Sequence, residues 1–206
     1  LSTNREYFTI ASSSEVTTSI KGSTFISRCE RVTSAVEAMS YIQSIKLKHL
    51  DATHNCWAYR ISPNEYRFND DGEPAGTAGQ PILQAILGSN LEQVCVVVTR
   101  YYGGTKLGAG GLVRAYGGGA SAVLKAAQSV LIQPTIVIAV EVAFSEQNSL
   151  YYFIENHSEL TIVGTEYTAK GLVISIKLLA VEQANISEQL TNHLRGRVQI
   201  KKITEA

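Results

Sequence analysis

The chain has 206 residues, 45% of them hydrophobic and 17% charged. That is enough apolar mass for one or two cores and excludes an intrinsically disordered chain. Lys plus Arg total 18 and Asp plus Glu total 18, which excludes a polycation that coats nucleic acid or membrane by bulk charge and leaves room for a local basic patch.

Along the first part, Glu15–Ile20 and Ser23–Cys29 read as a hairpin around Lys21-Gly22. Ser34–Leu47 reads as a helix with Ala35, Ala38, Ile42 and Ile45 as its apolar stripe. Asn55–Ile61 is a strand, Phe68–Gly79 a polar glycine-rich loop, and Pro81–Leu87 a short helix. Gln93–Thr99 is a buried strand, Tyr102–Gly110 a second glycine-rich loop, and Leu112–Ala127 a helix. Gly117-Gly118-Gly119 inside that helix costs roughly 1 kcal/mol per residue against Ala, so a close backbone contact with a neighbour or a ligand is expected there.

The texture changes between Gln128 and Pro134, and glycine becomes scarce beyond it. We place a domain boundary there, with domains at 1–130 and 134–206. Thr135–Val142 reads as a strand and Glu146–His157 as a helix capped by Ser145. Glu159–Thr168 and Leu172–Ala180 read as a hairpin through Ala169-Lys170-Gly171. Ile186, Leu190 and Leu194 mark a second helix with Gly196 at C′, and Arg197–Ile203 a last strand. The order β-α-β-β-α-β predicts a ferredoxin-like domain. The fold class is α+β in two domains. No run of the chain is long and apolar enough to predict a transmembrane helix. No signal peptide is visible, and the three cysteines are odd in number and scattered. The expected location is cytoplasmic, with reduced thiols and no membrane partner.

The loops carry the chemistry. Arg100-Tyr101-Tyr102-Gly103-Gly104-Thr105-Lys106-Leu107-Gly108 leads into Gly110, Gly111 and Arg114. Backbone N–H groups at a helix start attract anions, and glycines let an anion approach. Arg100, Lys106 and Arg114 would supply charge, and Tyr101 or Tyr102 a stacking surface. The stretch is not a nucleotide loop. Ala109 stands where a Walker A motif needs Lys, and Val113 where a dinucleotide fingerprint needs its third glycine. The rival reading has the glycines serving turns and close packing. In the first loop, Asp70, Asp71 and Glu73 are candidates for Mg²⁺ or a general base, and Thr77 for a cap. The rival there is a solvated turn about Asp71-Gly72. His54 and Cys56 share one strand face, as a nucleophilic pair or as a buried thiol beside a hydrogen-bonded His. The cysteines lack paired metal-ligand spacing, so no structural zinc is expected, and no cofactor is assigned. Arg195, Arg197, Lys201 and Lys202 read as a charged edge strand or a nucleic-acid-facing edge.

Both loops resemble the Impact/YigZ family, as do Thr53-His54-Asn55-Cys56 and Gly110-Gly111-Leu112-Val113-Arg114-Ala115-Tyr116-Gly117. Lys21–Ile26 fits the family's entry segment only in part. The resemblance implies an N-terminal domain similar to ribosomal-protein β-α folds and to domain IV of elongation factor G, followed by a ferredoxin-like domain. It implies a regulator of translation that binds RNA, the ribosome or a protein partner. A proline-dipeptidase label carried by some relatives finds no recognisable metal site in these residues. Two alternatives stand beside this: an enzyme acting on a phosphorylated or nucleotide-like small molecule, and a protein-interaction module.

Overall fold

The computed structural model describes residues 5–203. Two compact units divide the chain: Tyr7–Ile132, and a second running from Gln133 that includes Glu6.

The first unit contains strands β1 (Tyr7–Ile10), β2 (Ser14–Ile20) and β3 (Ser23–Arg31), helix α1 (Ala35–Lys48), strands β4 (His54–Ser62) and β5 (Glu65–Asn69), helix α2 (Gly79–Gly88), strand β6 (Val94–Tyr101), helix α3 (Ala109–Ala126) and strand β7 (Ser129–Ile132). Five strands form an antiparallel sheet in the order β2-β3-β6-β4-β5, while β1 pairs with β7. Helices cover both faces. Alternation along β6 therefore divides an unbroken apolar run: Val94, Val96 and Val98 enter the core under α2 and α3, and Cys95 and Val97 the core under α1. On β4, Cys56 and Ala58 take the first side, Trp57 and Tyr59 the second.

Ser34 caps α1 by accepting from Glu37 N, and Glu37 reaches back to Thr33 N at 2.7 Å. Within the glycine triplet of α3, a Cβ on Gly119 would collide with Ser27 Oγ on β3. At Gly119, then, the close neighbour is the sheet itself, whereas Gly118 faces open space.

The second unit contains β8 (Thr135–Ala143), α4 (Gln147–Glu155), β9 (Thr161–Tyr167), β10 (Gly171–Leu179), α5 (Gln183–His193) and β11 (Gln199–Ile203). The sheet order is β11-β8-β10-β9, antiparallel throughout, with Leu150, Phe153, Ile154, Ile186 and Leu190 of the helices packed against it. This is the ferredoxin-like topology, and the chain is a two-domain α+β fold. No helix among the described residues is long and apolar enough to cross a membrane.

Several local readings are corrected. β1, β5 and β7 have no counterpart in the sequence reading; they are four or five residues long, too short for a periodic signal. Ser145 does not cap α4: it lies in a 3-10 turn, Phe144–Glu146, and the helix starts after Glu146. At the end of α5 the left-handed residues are Arg195 and Gly196, and Gly196 N donates to Thr191 O at 2.8 Å. β11 is an edge strand, and Arg197 before it pairs with Glu146 at 3.0 Å.

Candidate functional site

The site lies in the first unit, at one end of the five-stranded sheet on the face under α2 and α3. Alternation puts it there. β6 continues past Thr99, so Arg100 follows Val96 and Val98 into the core, while Tyr101 turns to the α1 side. His54 pairs in register with Arg100 and shares the face of Cys56. Phe25 of β3 stands opposite Arg100 on its other side.

The two glycine-rich loops meet at this point. Glu73 Oε1 accepts from Arg100 Nη1 at 2.5 Å and from Tyr116 OH at 2.7 Å, and lies 3.8 Å from His54 Nε2. Arg100 and Glu73 are both buried. Arg100 Nη2 reaches Ser23 Oγ at 3.3 Å, and the guanidinium lies 5.4 Å from the Phe25 ring centre and 5.5 Å from that of Tyr102. Ser23 Oγ also accepts from Gly103 N at 3.2 Å. A Cβ on Gly103 would strike the Gly22 carbonyl, so the β2–β3 turn and the second loop touch backbone to backbone.

The acidic loop is consumed by its own scaffold. Asp70 accepts from the N–H groups of Gly76, Ala78 and Gly79 at 2.9, 3.0 and 2.8 Å, closing the loop and the start of α2. Asp71 takes Lys46 Nζ at 2.5 Å and Asn55 N at 2.6 Å. Thr77 Oγ1 donates to Pro74 O at 2.6 Å. Both carboxylates thus brace the loop. Among the described residues no three His, Cys, Asp or Glu side chains group to hold a metal.

His54 and Cys56 form no nucleophilic pair. His54 Nδ1 lies 2.8 Å from Asp71 O, and Cys56 Sγ donates to Asp70 O at 2.9 Å. Burial pushes the Cys56 thiol up to about 12, so it is protonated near neutral pH and inert. Burial, and then Cys56 and Glu73, raise Tyr116 far above the ordinary phenol range. Tyr116 therefore stays a donor to Glu73.

The remaining predicted residues divide by exposure. Arg100 is corrected: its guanidinium is committed to Glu73 and Ser23 inside the protein, and does not present a free charge for phosphate. Tyr101 lies on the α1 side, where its hydroxyl is 2.8 Å from His49 Nδ1 and donates to Asp51 at 3.1 Å. Tyr102 is 46% exposed, with its hydroxyl bonded to Gly104 O at 2.7 Å. Lys106 and Arg114 are exposed, and neither has a hydrogen bond or ion pair among the described residues. Gly108 precedes α3 with no side chain to cap it, and Gly110 and Gly111 form its first turn. Arg114 Nη1 lies over Gly110, back toward the start of the helix. Lys21, exposed in the β2–β3 turn, precedes the glycine that touches Gly103.

Four site residues escaped the sequence reading in these roles: Ser23, Lys46, Asn55 and Tyr116. Extending the alternation of β6 by two residues would have placed Arg100 inside and asked for a buried acid to pair with it.

Residues 21–124 match the family model described as Impact N-terminal domain, which spans the whole of this site. The chain belongs to the Impact family. It is 33% identical to the IMPACT family member YigZ of Escherichia coli over 190 residues, 90% of this chain and 92% of that one. It is 51% identical to the IMPACT family member YvyE of Bacillus subtilis over 113 residues, 54% of this chain and 52% of the relative. A crystal structure of a hypothetical protein superimposes with a TM-score of 0.67 at 31% identity, over 98% of each chain.

Proposed function

We propose that the protein is a translation-associated regulator that binds RNA, as on the ribosome, through the rim formed by residues 102–108 and the first turns of α3. The observation that carries this reading is the pair Lys106 and Arg114. Both are solvent-exposed cations without a protein partner among the described residues, set beside the uncapped N-terminus of an 18-residue helix. Free N–H groups and the helix dipole favour an anion there, and Tyr102 offers a ring for a base to stack on. The zero net charge makes attraction local rather than global. Arg100 and Glu73 hold the rim in place from beneath. Family membership supports a role connected with translation.

Cosedimentation with ribosomes across a salt series tests the reading. Binding should fall steeply with salt and drop in Lys106→Ala/Arg114→Ala without loss of folding. Unchanged binding in that double variant, or no binding at low salt, would refute it.

A further inference from the structure

Helices α2 and α3 touch where Pro81 meets Gly117, and a Cβ on that glycine would sit 3.6 Å from the proline. Beyond this contact a cleft of about 570 Å³ lies between their C-terminal halves, within the roughly 300–1,000 Å³ of small-molecule sites. Small residues hold it open. Ala85 and Gly88 line it from α2 and Ser121 from α3, one or two turns past the contact. Gly88 is the telling position. Its φ is not left-handed, and a Cβ there would meet nothing within 4 Å. Neither backbone nor packing asks for glycine, a poor helix former. What its missing side chain does is leave the cleft open.

The lining has the two-part chemistry of a ligand site. Leu91 and Leu124 give it an apolar floor and are 3% and 4% exposed. The rest is polar, and the side chains of Gln84, Ser121, Lys125, Gln128 and Ser129 have no hydrogen bond or ion pair among the described residues. Lys125 is the one charged residue of the lining, which contains no carboxylate. Carbonyls at both helix ends are already taken. Ser89 N and Oγ hold those of Ala85 and Ile86, and Gln128 N holds that of Lys125. The negative ends of the helices are thus capped, and Lys125 is the charge a ligand meets.

We propose that this cleft binds a small carboxylate with an apolar body. The body lies on Leu91 and Leu124, the carboxylate pairs with Lys125, and the amides of Gln84 and Gln128 supply further hydrogen bonds. One lysine suits a single negative charge better than the near-double charge of a phosphate ester. The cleft is distinct from the rim proposed for RNA, which lies at the opposite end of α3.

Octanoate, titrated into the isotope-labelled full chain, should shift the amide NMR signals of Gly88, Ser89 and Lys125 with a single Kd below about 1 mM. Octanamide, its uncharged counterpart, should bind at least tenfold more weakly, and Lys125→Met should weaken octanoate to the same level. Gly88→Leu should fill the cleft and abolish the shifts without lowering the melting temperature, since its side chain enters open space. Ser121→Leu blocks the cleft from the α3 side and should do the same to binding. No shifts up to about 10 mM octanoate, equal affinity for octanamide, or undiminished binding in both leucine variants would each overturn the proposal. So would shifts centred elsewhere, as on the exposed Phe8 and Leu131 of the β1–β7 pair.

Discussion

The inner floor and the outer rim of the candidate site come from the same two glycine-rich motifs, yet they obey opposite rules. On the floor, Arg100, Glu73, Asp70 and Asp71 have protein partners at 2.5 to 3.0 Å. On the rim, Lys106 and Arg114 face water. A charge beside a glycine loop is therefore no guide to ligand contact until its burial is known. Buried charges demand partners and become structure, whereas exposed ones stay available.

Breaking the floor should give the largest effects. Arg100→Ala leaves Glu73 buried without its cation and should destabilise the first unit by about 3–5 kcal/mol, read as a large drop in the urea midpoint. A smaller loss in the double variant Arg100→Met/Glu73→Leu than in the single one would sharpen the point, since no charge is then left alone. Asp70→Ala removes acceptors from three N–H groups, and should cost about 1–3 kcal/mol in the same assay. On the rim, Lys106→Ala and Arg114→Ala should each shift stability by less than about 0.5 kcal/mol. A destabilisation as large as that of Asp70→Ala would erase the distinction.

Reactivity gives a different kind of check. With its thiol pushed up to about 12 by burial, Cys56 should resist alkylation at pH 8 in the folded protein and react readily in urea. Rapid labelling of the native protein would mean the floor is open.

The smallest effect concerns pH. Burial holds His49 below its ordinary value of 6.5, so the folded state favours the neutral ring. Its contribution is present above about pH 6.5 and is lost as pH falls, because the unfolded chain takes up the proton more readily. His49→Gln should therefore flatten slightly the decline in melting temperature between pH 7 and pH 5. An unaltered decline would remove His49 from the account.

Much of the fold was legible because its signals are periodic. The helical stripe of Ala38, Ile42 and Ile45 and the β-α-β-β-α-β order of the second unit follow from side-chain spacing alone. The site was legible as motifs but not as roles. Ending β6 at Thr99 left Arg100 in a loop, and one more turn of the alternation decides whether it faces core or solvent. Asp70 reads as an acid in a polar loop, because nothing local tells that three N–H groups fold back onto it. Long-range partners such as Tyr116 to Glu73, 43 residues apart, leave no mark in local pattern.

The most direct test of the division between floor and rim is the salt dependence of single-stranded RNA binding, measured by fluorescence anisotropy for the wild type and Lys106→Ala/Arg114→Ala. If both residues contact phosphate, the slope of log K against log salt should flatten by about 1.4, at about 0.7 per contact, with the melting temperature unchanged. An identical slope in the two proteins would contradict the account.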